Sequence, residues 1–336
     1  MPLDGATDSW DEFVRGDAAS SFCHLTGWRE ILSDVLGAEC LYWVATADSG
    51  AWEGVLPLVR VRSRLFGHYL VSLPFLNYGG PLGSAAAQRR LTQQAVGEAR
   101  RSRADLLELR TRDIADLDLP VSSRKITVVL DLPPTPDELW KGFSAKLRSQ
   151  IRRPIKEGLA ARFGPDQREP FYEVFARNMR DLGTPVLPRA LFERIAAVFP
   201  EHVVFGAVYR GDEPVAGGCG FVWGGEFEMT WAGARRETRS LAANMLLYSA
   251  FIEQMIARGV RRFNFGRCTP GGGTHHFKRQ WGSRDVPLPW CQFAPRGHVA
   301  TPSPDDPAFS WGPRLWRRLP LPIANLLGPR LVRFLP

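Results

Sequence analysis

The spacing of apolar and polar positions divides the chain into two stretches with the same order of elements. In the first, residues 27–37 hold Trp28, Ile31, Leu32, Val35 and Leu36 at helical spacing, which predicts an amphipathic helix. A β-rich run follows at 41–47, then the polar turn Asp48-Ser49-Gly50. Two more strands are expected over 54–61 (GVLPLVRV) and 68–77 (HYLVSLPFLN), then a helix over 84–101 and a closing strand over 105–110. In the second stretch, 189–199 (RALFERIAAVF) reads as an amphipathic helix and 203–209 (VVFGAVY) as a strand with the turn Arg210-Gly211-Asp212. Strands are expected at 215–223 and 226–231, a helix over 241–258 ending on Gly259, and a closing strand at 261–266.

The two hairpin turns lie about 162 residues apart (Asp48 to Arg210) and the closing strands about 157 apart (Leu106 to Phe263). A near-constant offset over a whole order of elements argues for an internal duplication. Each copy ends in a β–α–β crossover, which makes its last two strands parallel. Ligands in such units bind where the crossover helix begins, beside the strand ends. The loops at 78–84 and 232–240 are therefore the places to look. The second, Gly233-Ala234-Arg235-Arg236-Glu237-Thr238-Arg239-Ser240, carries three arginines before a helix and suits a phosphate or pyrophosphate.

Composition narrows the class. The chain has 336 residues, is 44% hydrophobic and 23% charged, and so has ample apolar surface for folded domains, about two at this length. Its net charge is +8, from 43 Lys+Arg against 35 Asp+Glu. Lysine occurs only at 125, 141, 146, 156 and 278, leaving 38 arginines. Most of that excess is an arginine habit of the whole chain, so each lysine becomes a position to question. The five cysteines (23, 40, 219, 268, 291) form no CxxC pair, which excludes a disulfide framework and a zinc ribbon. The acidic start MPLDGATDSWDEF has no apolar segment, and no apolar run reaches roughly 18 residues. A cytoplasmic chain without membrane spans is expected.

Three stretches carry candidate chemistry. In 264–282 (NFGRCTPGGGTHHFKRQWG) a strand runs into a glycine-rich, helix-poor loop that ends on Phe277-Lys278 and Trp281-Gly282. Lys278 is isolated in an arginine-rich region, which points to a position that wants a compact, titratable amine. His275-His276 reads as a polar loop, because no further His or Cys stands at ligand spacing. In 140–158 (WKGFSAKLRSQIRRPIKEG), Arg148, Arg152 and Lys156 share a helix face at i, i+4, i+8. That face is either solvated or meets an acidic partner such as RNA phosphate, a pyrophosphate or anionic lipid. The tail 311–336 has five arginines and no acid among short apolar helical pieces. It suits an anionic membrane surface at the inner face, or docking on the body of the protein. Glu226 and Glu228 alternate on one strand, as a base or as exposed positions.

Taken together, 72–82 (SLPFLNYGGPL), 146–159 (KLRSQIRRPIKEGL), 179–186 (MRDLGTPV), 242–259, 263–282 and 319–329 (LPLPIANLLGP) resemble the Fem (FemA/FemB/FemX-like) transferases. More narrowly, they resemble the FemAB-related proteins found with exosortase (PEP-CTERM) exopolysaccharide systems. The resemblance implies an α/β fold with mixed sheets and two tandem GNAT-like acyltransferase domains, at 1–135 and 136–300, followed by a basic amphipathic tail at 301–336. It implies transfer of an acyl or aminoacyl group to an amine of a cell-envelope or exopolysaccharide precursor. No tightly bound cofactor is implied; the co-substrate is acyl-CoA or aminoacyl-tRNA, with tRNA then a partner.

The resemblance assigns two of these segments, and position in the expected fold supplies the remaining roles. Phe277, Lys278, Trp281 and Gly282 match the family's FK-x-x-[FW]-G segment lining the substrate channel, and Lys146 and Arg148 match its basic helix. Lys278, with Asn244 and Tyr248 at i, i+4 on the crossover helix, is the catalytic group. Arg267 and Trp231 join the substrate contacts, with Tyr78 from the first half, and Arg236, Arg239 and Ser240 hold the donor. Two departures stand out: there is no helical-hairpin arm, and 236–241 lacks the glycines of an acetyl-CoA loop. The reading from a different class is a non-catalytic GNAT-like module that binds an anionic polymer or an assembly partner.

Overall fold

The computed structural model describes residues 1–3, 5–63, 66–297 and 311–335. In chain order the elements are α1 (Thr7–Gly16), α2 (Gly27–Leu36), β1 (Glu39–Thr46), β2 (Trp52–Ser63), β3 (Gly67–Val71), β4 (Leu82–Gly83), α3 (Ala85–Arg101), β5 (Leu106–Leu109) and β6 (Val121–Ser122). Then follow β7 (Ile126–Asp131), α4 (Pro136–Gly142), α5 (Ala145–Lys156), β8 (Leu159–Phe163), α6 (Arg168–Leu182), α7 (Arg189–Val198), β9 (Val203–Arg210), β10 (Glu213–Trp223) and β11 (Glu226–Ala234). The chain closes with α8 (Ala243–Ala257), β12 (Arg262–Cys268), α9 (Gly273–Arg279), β13 (Arg284–Pro287), β14 (Trp290–Phe293), α10 (Trp311–Trp316) and α11 (Leu321–Val332).

Among the described residues these form two mixed sheets, each in its own compact unit. The first has the order β1-β2-β3-β5-β14-β6, with β4 against β2; the second runs β13-β7-β12-β11-β10-β9-β8. β3 and β5 are parallel, as are β11 and β12, with α3 and α8 as the respective crossovers. The duplicated order expected from the sequence is thus present: β1, β2, β3, α3 and β5 correspond to β9, β10, β11, α8 and β12. Each closing strand takes an antiparallel neighbour, β14 on β5 and β7 on β12.

Those neighbours displace the expected domain limits. The first unit comprises the described parts of Met1–Lys125, Pro287–Asp306 and Arg330–Pro336; the second comprises Ile126–Val286 and Pro307–Pro329. The first boundary therefore falls at 125/126, ahead of the expected 135/136, because β7 pairs with β12. The chain re-enters the first sheet through β14, and the single tail at 301–336 is divided between the units. The expected limit at 300/301 lies outside the described residues.

Local sequence accounts for these elements. Ser84 and Ser144 cap α3 and α5, accepting from the Ala87 and Leu147 N–H groups. α5 turns Leu147, Ile151 and Pro154 inward at i, i+4, i+7, and packs on α8. α8 is apolar around its circumference, as a helix buried in the core must be: Phe251, Ile252, Met255 and Tyr248 are all buried. The second sheet packs α8 on one face, through Phe227 and Phe251 stacked at 5.5 Å. On the other face lie α6 and α7, through Phe171, Phe175 and Phe192.

Candidate active site in the second unit

β11 and β12 run side by side only from Glu226↔Arg262 to Glu228↔Asn264. Beyond that point they have no ladder, so the edge of β11 facing β12 keeps backbone N–H and C=O groups outside the sheet bonding. A second irregularity begins at the same place. β11 pairs with β10 as Met229↔Gly220 and then Trp231↔Cys219, so Thr230 is an extra, bulged residue. The bulge reverses the facing of the residues beyond it. Met229 belongs to the core beneath α8, whereas Trp231 packs edge-to-face on Phe192 (5.2 Å) and Phe221 (6.2 Å). Trp231, expected to contact substrate, is instead an interior residue on the α7 side.

β12 is bulged too. Its register against β7 shifts between Asn264 and Arg267, and Gly266 takes φ +74°. The Gly266 N–H donates to Asn264 Oδ1 at 2.9 Å, the Thr127 hydroxyl donates to the same oxygen, and Asn264 Nδ2 donates to Glu226 Oε1 at 3.0 Å. All four residues of this network are buried. Strand alternation puts Glu226 and Glu228 on the face opposite α8.

Lys278 ties the bulge down. Its buried Nζ donates to the Gly266 carbonyl at 2.7 Å and to the Arg267 carbonyl at 3.0 Å. Burial lowers its pKa from 10.5 to about 8, opposed by the nearby Cys268 and Glu228 and assisted by Arg267. The lysine comes from α9, a helical turn in the segment expected to be helix-poor. His275 anchors that helix. Its Nδ1 accepts from Gly271 N–H (3.0 Å), and Nε2 therefore carries the proton that Asp285 receives (3.0 Å). Ser283 Oγ donates to the Lys278 carbonyl at 2.7 Å. Among the described residues, no three His, Cys, Asp or Glu side chains gather at metal-ligand spacing.

The other expected site residues separate into groups. Tyr248 lies inside an aromatic cluster with Phe265 (5.6 Å, stacked), Phe277 (5.0 Å) and Trp281 (6.4 Å). Burial pushes its hydroxyl pKa up, so near neutrality it is a proton donor only, not the base. Trp281 is buried with an indole N–H that meets no acceptor among the described residues. Gly282 (φ +82°) is exposed and follows the end of α9, its N–H donating to the Arg279 carbonyl. Asn244, one turn before Tyr248, is exposed, and so is Arg267. Arg236, Arg239 and Ser240 are exposed on the short 3-10 turn before α8, whose N-cap Ala242 offers no side-chain acceptor. Arg235, the third arginine of that loop, is buried against Glu173 (2.7 Å) and Glu213. On α5, Lys146 is exposed, while Arg148 donates to the Trp140 carbonyl (3.3 Å) and Arg152 stacks on its ring (5.1 Å).

The first unit treats the equivalent place differently. The β3–β5 pairing reaches Val71↔Glu108 and is then continued: Ser72 N–H donates to the Glu108 carbonyl (2.9 Å), and Arg110 N–H to Ser72 Oγ (2.7 Å). The buried Arg110 guanidinium pairs with Glu108 (2.9 Å), donates to the Leu73 and Leu76 carbonyls, and stacks on Trp290 (4.6 Å). Before α3, the Gly83 N–H is taken by the Asp17 carboxylate (2.9 Å). His24, held to a pKa of about 4 by burial, donates to the Gly80 carbonyl (3.1 Å). Tyr78 is buried here beneath the Arg112 guanidinium, not open to substrate. The chain's own side chains fill this crevice.

Comparison with known proteins bears on the fold. Residues 145–279 match the acetyltransferase (GNAT) domain family. No curated protein matches the chain in sequence. Among solved structures, FemX superposes with a TM-score of 0.65 at 14% identity, covering 88% of this chain and 97% of its own. A tandem GNAT protein from the clavulanic acid biosynthesis pathway gives 0.56 at 13% identity, covering 88% and 98%. The C-terminal domain of a putative lysylphosphatidylglycerol synthetase from Agrobacterium fabrum gives 0.56 at 13%, covering 85% and 91%. The chain has the tandem GNAT-like fold that FemX also has, and the GNAT match falls on the unit whose strands open.

Proposed function

We propose that the chain is an N-acyltransferase that moves an acyl or aminoacyl group onto an amine of a cell-envelope or exopolysaccharide precursor, at the β11–β12 opening. One observation carries the reading: the parallel pair parts at Glu228 and Asn264, beside a buried lysine whose charge is opposed by burial, whereas the equivalent place in the first unit is filled. The GNAT match over 145–279 and the FemX-like fold support the reaction class. The context expected from the sequence, an exosortase-linked polysaccharide system, is the finer part of the proposal.

The donor carbonyl would lie along the β11 edge after Glu228, where backbone N–H groups outside the ladder meet its oxygen. The acceptor amine, neutral when it attacks, forms the new C–N bond while the carbonyl π pair moves to oxygen. Glu228 takes the amine proton directly or through water. Collapse of the oxyanion expels the donor's thiolate or ribose oxygen, which takes back the proton that Glu228 removed from the amine. Lys278 holds two backbone carbonyls, and its remaining N–H is the one to meet developing negative charge. The donor's phosphates would lie at the start of α8 near Arg236, Arg239 and Ser240, and the acceptor's anionic groups near Lys146, Arg148 and Arg267.

The test is transfer from labelled acyl-CoA and from aminoacyl-tRNA to amine-bearing glycan and peptide precursors. Lys278→Ala and Glu228→Gln, each verified as folded, should lose at least about a hundredfold in kcat/KM. Undiminished turnover in folded Lys278→Ala overturns the assignment.

A further inference from the structure

α11 is turned inside out. Its first two inward positions are small: Ala324 and Gly328 at i, i+4 are buried, with Val332 following at i+8, and a side chain at Gly328 would strike Val186. Its large aliphatics face outward: Ile323 is 44% exposed, Leu326 58% and Leu327 38%. A helix docked only to complete a fold does the reverse. α10 adds Leu315 (57%), and the end of α6 adds Leu182 (56%).

These segments are fastened to one another. Arg180 Nη1 donates to the Leu319 carbonyl (3.1 Å), Arg317 Nη2 donates to the Leu182 carbonyl (3.2 Å), and Gly183 closes on Pro313. Arg314, Arg317 and Arg318 are exposed beside the aliphatics, and 311–335 contains no carboxylate side chain. Asp181, next to Leu182, is held by its neighbour Arg180 at 2.7 Å. No helix among the described residues is long and apolar enough to cross a membrane.

We propose that this face, made of Leu182, α10 and the first turns of α11, docks on the surface of an anionic phospholipid bilayer. Exposed aliphatic side chains on a helical surface, with arginines beside them and no acid in the tail, match acyl chains below and phosphate head groups around. The small inward face keeps α11 tight against the body while its large side chains enter the bilayer. The attachment stands on its own observations and deepens the acyltransfer reading: it would hold the second unit against a lipid-linked acceptor.

Flotation of the full chain with phosphatidylcholine vesicles, with and without phosphatidylglycerol, tests this without any turnover. At least tenfold stronger partitioning to the anionic vesicles, weakened by salt, is expected. Leu315→Gln/Ile323→Gln/Leu327→Gln should cut it more than tenfold. Arg314→Gln/Arg318→Gln should cut it by about fivefold per arginine. Neither set should shift the melting temperature, since these side chains face outward. Equal partitioning to neutral vesicles, no flotation, or flotation unchanged in the aliphatic variant overturns the proposal. A concentration-dependent dimer that the aliphatic variant abolishes, with no flotation, would assign the face to a second copy of the chain instead.

Discussion

Burial and hydrogen bonding pull Lys278 in opposite directions. Two backbone carbonyls favour its ammonium, yet desolvation dominates and lowers its pKa to about 8. The folded chain then binds fewer protons here than the unfolded chain between about pH 8 and 10.5, so this group's contribution to stability rises with pH through that window. Comparing wild type with Lys278→Met isolates the term. The wild-type stability relative to the variant should improve by about 2 kcal/mol between pH 7 and 9.5 in denaturant melts. A difference that stays constant with pH would mean that the lysine titrates normally. The same pKa bears on turnover. If the ammonium meets the oxyanion, kcat/KM descends above about pH 8, and Lys278→Arg moves that limb upward while retaining activity. Lysine scarcity made this residue visible in the sequence; the carbonyls that it holds come from the bulge and were not visible.

Two irregular strands make the opening, and strand periodicity hides both. An extra residue in β11 leaves the run EFEMTWAGA reading as a plain strand, yet it carries Trp231 to the α7 side. The sequence placed nearly every repeated helix and strand because those segments bury one face and therefore keep a clean period. It did not place α9, whose glycine-rich start weakens any helical pattern, or the short edge strands. β12 depends on Gly266 at φ +74°. Gly266→Ala should cost about 1–2 kcal/mol in stability, as left-handed backbone does for a residue with a Cβ. Gly259 has the same φ at the end of α8 and open space where a Cβ would go, so Gly259→Ala should cost about as much. Only Gly266→Ala should also depress transfer beyond its effect on folding, because it displaces the carbonyls that hold Lys278. Matched losses of activity in the two folded variants would remove the bulge from the mechanism.

At the scale of the whole molecule, the repeat offset was legible and the asymmetry between the copies was not. β7 and β14 are short, and nothing local says that each pairs with a closing strand remote in sequence. Nor does an alternating DLLELR announce that Glu108 and Arg110 will meet each other, Gln292, and the Leu73 and Leu76 carbonyls. That cluster fills the crevice of the first unit, and it can be dismantled. Arg110→Met strands a buried Glu108 carboxylate and should lower stability by about 3–5 kcal/mol. Adding Glu108→Gln should recover much of the loss, since the charge that needed the guanidinium is gone; a double-mutant cycle then gives the coupling. Donor affinity separates this role from a catalytic one. Below its melting temperature, Arg110→Met should bind acyl-CoA or aminoacyl-tRNA within about twofold of wild type by calorimetry, because a contact that fills a crevice contributes to folding and not to the ligand. A folded Arg110→Met protein that loses donor binding would move the donor site to the first unit.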